Sequence, residues 1–334
     1  MEYRALPNIM CPQAQLTGLH SRSEELIELT RSYDRGRVSW AEVETQLKKE
    51  TAQLVRLQES LGFEYVSDGA LSWQDPLRPL TRSFAGVTSG TRYSRWFDTN
   101  TFYQKPVVTA KITPDGFKIQ DFLQTELLPK TGKWKVSIPG PYTFSELSEN
   151  RYYRDKSDLV LDVANAQREV VKKLAAAGVS LVQLSEPCLV YRPYREDPLS
   201  RAEIDLALRG IRRVVEGVQA RFLVQSFFGD ATPVLTSLLE LPVEAFGFDL
   251  YETDYSKLHI ETTKDLVLGI LDSRESHIED AKWVAETALR VTKHVDAPSV
   301  ALAPNSDLKF LPRPTADKKA AVLAEAVRIL KEAS

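Results

Sequence analysis

The sequence predicts an α/β protein built as a (β/α)8 barrel of the TIM type, with an antiparallel hairpin inserted in it. Three observations carry that reading. Eight short apolar runs recur along the 334 residues, at 3–9, 63–68, 133–138, 179–185, 221–227, 244–250, 266–272 and 299–304. Each is rich in Val, Ile, Leu or Phe, the composition of a strand buried on both faces of a parallel sheet. Longer stretches of helical periodicity separate most of them, which supplies the crossovers that parallel strands require. Most runs also end in a turn or polar residue: Asp68-Gly69, Pro139-Gly140, Glu186-Pro187, Asp249, Asp272 and Asn305. An open doubly wound sheet is the competing architecture, and strand count and spacing favour the barrel.

The helical segments follow in order. Ser39 stands before 40–61 with Glu42 three residues on, the spacing of a capping box. Val43, Leu47, Leu54, Leu57 and Leu61 then repeat on one face. The stretch 156–177 places Val160, Val163, Ala164, Val170, Val171 and Leu174 at helical spacing and stops at Gly178. Segments 202–218, 232–239, 278–294 and 315–333 read the same way. One region breaks the repeat. Residues 82–128 hold an alternating run at 106–112, then Asp115-Gly116, then a second short run at 117–119. Asp-Gly between alternating runs is a hairpin signal. The expected organisation is therefore one domain, 1–334, with a rim or lid insertion at about 82–128.

Composition excludes several function classes. Lys plus Arg is 43 and Asp plus Glu is 46, a net charge of −3, so the chain lacks the basic footprint of a nucleic-acid binder. No apolar run reaches the length of a membrane helix, and the opening MEYRALPNIM lacks the apolar core of a signal peptide. Two cysteines, Cys11 and Cys188, fit a reducing compartment, so a cytoplasmic protein is expected.

Barrel enzymes place their chemistry at the C-terminal ends of the strands. The polar residues there are Asn8, Asp68, Asp75, Glu186, Gln225, Asp249, Asp272, Asn305, Ser306 and Asp307. No glycine-rich phosphate loop follows a strand. His20, His259, His277 and His294 show no metal-ligand spacing, and no CxxC occurs. Cys11 and Cys188 follow the first and fourth runs and read as buried thiols. Trp73 and Trp96 have faces suited to a flat ligand, although aromatic residues more often pack in a core. Arg92, Arg95 and Lys105 are basic enough to clamp carboxylates, or simply to solvate a face.

Ordered stretches along most of the chain resemble the cobalamin-independent methionine synthase family. Tyr33-Asp34-Arg35-Gly36-Arg37-Val38-Ser39 is similar to its Y-x-x-G-x-[IV]-S entry to a helix, and Ser67-Asp68-Gly69 to its "sDGe" strand end. Asn100-Thr101-Phe102-Tyr103 resembles "NtfY". Pro139-Gly140-Pro141-Tyr142-Thr143 and Gln183-Leu184-Ser185-Glu186-Pro187 resemble its GP-x-T and "vQiDEP" strand ends. Phe227-Phe228-Gly229-Asp230 with Leu241-Pro242-Val243, and Ala303-Pro304-Asn305-Ser306-Asp307, complete the series. The resemblance implies a barrel and methyl transfer from a methyl-folate or methyl-corrinoid donor to homocysteine. In the family, zinc held by His, Cys, Glu and Cys takes the thiol as thiolate. Those positions fall here on Gln225, Phe227, Asp249 and Ser306. The substrate-binding positions also depart, to Leu6-Pro7-Asn8, Ala70 and Ser185. Full-length members pair two barrels, of which only the C-terminal one carries zinc, and this chain resembles the metal-free N-terminal one.

The resemblance and the strand-end residues together give the expected site. Glu186, Asp249 and Gln225 are the catalytic candidates, with Asp75, Trp73, Trp96, Arg95, Asn305 and Ser306 around the substrate. No cofactor is expected. The expected partners are a methyl-folate or methyl-corrinoid donor and a zinc-bearing homologous barrel protein. The alternatives are a non-catalytic folate-binding barrel subunit and a diverged barrel enzyme with a non-thiol substrate.

Overall fold

The computed structural model describes residues 12–130, 132–193 and 197–333. Eight parallel strands form one curled sheet. We number them β1 (Gln13–Ala14), β2 (Tyr65–Val66), β3 (Lys133–Pro139), β4 (Val179–Ser185), β5 (Arg221–Gln225), β6 (Ala245–Asp249), β7 (Asp265–Leu271) and β8 (Val300–Pro304). From β2 to β8 each strand pairs with the next in sequence, and β8 pairs in turn with β1. Among the described residues no ladder joins β1 to β2. Their edges are bridged just beyond the strands, where the His20 N–H donates to the Gly69 carbonyl at 2.9 Å.

Helices cover the outer face. The Trp40–Ser60 helix starts where expected, the Glu42 carboxylate accepting the Ser39 N–H at 2.8 Å and its hydroxyl at 2.9 Å. Lys156–Ala176, Arg201–Val215, Thr232–Leu239, Ala281–Val291 and Arg313–Glu332 fill the other expected segments. Three more were not anticipated: Glu24–Asp34, Arg78–Ser83 and Pro141–Leu147. None of the helices is long and apolar enough to cross a membrane, among the described residues.

One expected strand lies outside the described residues, and one expectation changes. The run at 3–9, with Asn8 and Cys11, lies outside the described residues, and the strand pairing with β8 is Gln13–Ala14. The antiparallel pair is Ala85–Arg95 with Phe102–Thr113, so its turn is at 96–101 and not at Asp115-Gly116. Residues 117–119 form no strand. The Gly116 N–H instead donates to the Ser83 carbonyl at 3.1 Å, returning the chain to the preceding helix. A short strand, Glu149–Asn150, adds to the second hairpin strand in parallel.

The ladder register sets which side chains share the interior. Tyr65, Leu181, Leu223, Ala245, Val267, Ala301 and Ala303 cluster there, apart from the two larger clusters under the helices. Alternation then turns Lys135, Gln183, Ser185, Gln225 and Asp249 to the same interior, above that apolar floor. Lys135 is buried without a carboxylate partner among the described residues. Its ammonium donates to Gln15 Oε1 at 2.8 Å and the Leu16 carbonyl at 2.7 Å, tying β3 to the chain beyond β1.

Burial pulls the Lys135 amine down to about 7. The unfolded lysine titrates near its ordinary value, so between about 7 and 10.5 the unfolded chain binds the extra proton. Stability from this group therefore rises with pH across that window, by up to about 1.4 kcal/mol per pH unit. Urea denaturation at successive pH values should show that rise in the wild type. Lys135→Met should remove it; an unchanged slope would place the charge elsewhere.

Candidate active site

The upper lumen is polar and closely linked. Asp249 ends β6, and its Oδ1 accepts the Tyr251 N–H at 2.9 Å while Oδ2 accepts the Phe228 N–H at 3.3 Å. Asn305, one residue past β8, donates from Nδ2 to both Asp249 oxygens at 3.2 Å. The Asn305 Oδ1 accepts the Ser273 N–H and hydroxyl at 2.9 and 2.8 Å. Ser306 and Ser273 hydroxyls meet at 2.5 Å. Gln225 reaches across the barrel, donating from Nε2 to the Thr17 hydroxyl at 3.4 Å. Three buried polar atoms here, Gln183 Oε1, Gln225 Oε1 and Ser226 Oγ, have no hydrogen-bond partner among the described residues. Buried polar atoms are normally paired, so the upper lumen has acceptor capacity for a polar ligand or water. Burial pushes the Asp249 carboxyl up to about 6, against the hydrogen bonds from Tyr251, Phe228 and Asn305 that oppose it.

Glu186 stands beside this group but faces another way. Its backbone N–H donates to the Gln225 carbonyl at 2.8 Å. Its carboxylate accepts the Tyr142 and Thr143 N–H groups at 3.0 and 2.8 Å, capping the Pro141–Leu147 helix. A Cβ at Gly140 would come within 2.2 Å of that carboxylate, so glycine permits the approach. Burial nevertheless raises Glu186 to about 7, because desolvation outweighs the bonds that favour the charge.

Asp75 belongs to a second cluster. Its oxygens accept the Leu77 and Arg78 N–H groups at 3.1 and 3.0 Å and pair with Arg78 Nε at 3.2 Å. Asp75 also accepts the Gln104 N–H at 3.4 Å, which fastens the hairpin. Lys309 lies within electrostatic reach of Asp307, Asp75, Arg22 and Arg78. Arg22 donates to the Trp73 carbonyl. Three cations thus face two carboxylates beside Trp73. The sequence reading missed Arg22, Arg78 and Lys309, since only the fold brings 22, 78 and 309 together.

The aromatic candidates Trp73 and Trp96 meet neighbouring rings edge-on. Trp73 is buried against Phe122, and Trp96 against Phe97 and Tyr103. Arg95 is exposed at the end of the first hairpin strand. The hairpin turn packs against residues that follow β4 and β5. Phe97 packs on Phe228 at 5.2 Å and on Tyr191 at 6.0 Å between ring centres, and the Tyr191 hydroxyl donates to Asp98. Phe228 also meets Phe310 and the Arg274 guanidinium. Ala70, Phe97 and Phe228 are the non-glycine residues with left-handed φ, at 50°, 48° and 73°, among those described.

The donor set does not suit zinc. Phe227 offers no ligand atom, Asp249 already accepts four hydrogen bonds, and Ser306 is bonded to Ser273. Among the described residues no group of three His, Cys, Asp or Glu side chains is placed to hold a metal ion. Cys188 is a buried free thiol, held well above its ordinary pKa by burial.

Comparison with known proteins gives a consistent result. Residues 85–296 match the family described as cobalamin-independent synthase, N-terminal domain. A methionine synthase of Saccharolobus solfataricus is 24% identical over 320 residues, covering 94% of this chain and 93% of the relative. Among solved structures, a B12-independent methionine synthase from Shewanella sp. W3-18-1 in complex with selenomethionine superposes with a TM-score of 0.75 at 19% identity, over 89% of this chain and 91% of the other. A putative vitamin-B12-independent methionine synthase from Listeria monocytogenes gives 0.72 at 18%, over 96% of each chain. At these identities the superpositions establish the shared fold.

The raised Asp249 carboxyl has a thermodynamic signature. Between about 4 and 6 the native state holds a proton that the unfolded chain has released, so this contribution to stability falls as pH rises through that window. Chemical denaturation at several pH values between those limits should show a shallower fall in Asp249→Asn than in the wild type. Parallel curves would mean that Asp249 is ionised throughout.

Proposed function

The chain belongs to the cobalamin-independent synthase family, whose N-terminal domain it matches, and from that premise we propose that it serves methyl transfer towards homocysteine as a metal-free barrel. A zinc-bearing homologous barrel protein would activate the thiol. The observation that carries the division of labour is the state of the four positions where the family resemblance puts zinc ligands. They hold Gln225, Phe227, Asp249 and Ser306, one of them apolar and the other three already hydrogen-bonded within the lumen.

In this reading residues 1–334 are one domain working in the cytoplasm as a closed (β/α)8 barrel, with 82–128 as its rim and lid. The donor, a methyl-folate or methyl-corrinoid, enters under the hairpin. Arg22, Arg78 and Lys309, with Arg95 further out, attract its carboxylates or phosphates, and Asp75 positions Arg78. Trp73 and Trp96 shape the wall without stacking. Gln225, Asn305 and Ser306 supply polar contacts, and Asp249 holds Asn305 while remaining able to exchange a proton near neutral pH. Glu186 is a positioning residue, fixing the Pro141–Leu147 helix at the mouth. No cofactor of its own is required.

A free thiol has a pKa of about 8.5, so only a few per cent is thiolate at pH 7 without a metal. The protein alone should therefore show no useful transfer of radiolabelled methyl from methyl-folate or methyl-corrinoid to homocysteine. It should also carry less than about one tenth of a zinc per chain, since the donor set is wrong for the ion. Adding a zinc-bearing homologue should produce turnover above that of the homologue alone. Robust turnover by the isolated chain would overturn the division of labour. No stimulation and no donor binding would favour a diverged barrel enzyme with another substrate.

A further inference from the structure

We propose that the hairpin carries a binding pocket for a doubly charged oxyanion, a phosphate group, separate from the barrel mouth. The register between the two hairpin strands pairs Ser89 with Pro106 and then Tyr93 with Gln104, so Gly90, Thr91 and Arg92 all lie opposite Lys105 alone. Such a bulge takes backbone N–H groups out of the ladder and re-aims the side chains it carries. Here it opens a cavity of about 230 Å³ lined by Gly90, Thr91, Arg92, Lys105, Glu149 and Arg151, among others.

The charges in this cavity are unbalanced. Arg92, Lys105 and Arg151 face the single carboxylate of Glu149. Arg151 binds that carboxylate through Nε at 2.7 Å, and Arg151, Arg92 and Lys105 together hold it below its usual range. The local surplus is two positive charges in a protein whose net charge is −3. Ser89, Thr91 and Thr109, all exposed, add hydroxyls to the cavity lining. Guanidinium forks, an ammonium and hydroxyls are the donor set that phosphate recognition uses.

The bulge is also braced. Gln104 donates from Nε2 to the Gly90 carbonyl at 2.7 Å, while its own N–H is bonded to Asp75. A Cβ at Gly90 would approach the Lys105 carbonyl to 2.6 Å, so the tight bulge needs glycine there. A braced bulge presents its donors with little ordering left to do on binding.

Inorganic phosphate, titrated at constant ionic strength into the full chain labelled with ¹⁵N, is the probe. Saturable amide shifts should be confined to residues 88–92, 105–109 and 149–151. In Arg92→Gln/Lys105→Gln the affinity should fall by at least about tenfold, as two charge-assisted contacts are lost. Both side chains are outside the packed core, so the variant should keep the wild-type circular dichroism and melting temperature. A simple phosphate monoester binding as well as free phosphate would extend the ligand class to phosphorylated metabolites, and binding of free phosphate alone would restrict it. A dicarboxylate such as malonate, binding more tightly than phosphate, would overturn the phosphate assignment. Shifts that do not saturate, that chloride reproduces, or that survive in the double variant would show a solvated basic face and overturn the pocket itself.

Discussion

A barrel lumen has room for few side chains, and everything at the mouth of this one depends on how that room is divided. The register admits alternate residues from eight strands into one cylinder. Its floor is apolar, from Tyr65 and Leu181 round to Ala301. Above it the occupants turn polar: Lys135, Gln183, Gln225, Asp249 and then Asn305. Low dielectric makes each of these groups costly unless paired. Pairing therefore organises the upper barrel. Lys135 draws the loop after β1 inwards, Gln225 crosses to Thr17, and Asn305 links β6 to β7 and β8 through Asp249 and Ser273. The atoms left over, Gln183 Oε1, Gln225 Oε1 and Ser226 Oγ, lie where a ligand or water would complete the network.

Much of this was legible in the sequence, for a physical reason. A strand buried on both faces must be apolar along its length, so β2 to β8 announce themselves as apolar runs, and the seven expected runs that fall among the described residues all overlap observed strands. The β1 strand does not announce itself so, because its two-residue ladder opens on Gln13 and is followed by Gln15, which accepts a hydrogen bond from the buried Lys135. The hairpin turn was misplaced because Asp115-Gly116 is a strong local signal, whereas Gly86, Gly90 and Pro106 break the alternation of the true pair. Short helices such as Pro141–Leu147 lack the length for a periodic signature.

The site divides along the same line. Gln225, Asp249 and Asn305 could be named in advance because strand ends are fixed by local pattern. The direction of Glu186 could not. Its carboxylate answers to two N–H groups some 44 residues earlier in the chain, and only the fold brings them within 3.0 Å. The cluster of Arg22, Arg78 and Lys309, and the packing of Phe97 on Phe228, have the same non-local origin.

Strain marks the mouth as well. Left-handed φ at a non-glycine residue costs on the order of 1–3 kcal/mol and persists only where the surroundings over-determine it. Phe97 and Phe228 both adopt it, and each is held by the other. Phe97 is wedged between Trp96, Tyr191 and Phe228, while Phe228 is pinned by Phe227, Phe310 and Arg274. The Phe228 N–H is in turn one of the donors to Asp249. The Phe97–Phe228 contact therefore connects the hairpin turn to the polar lumen, because the backbone of one of the two strained residues is itself a hydrogen-bond donor to Asp249.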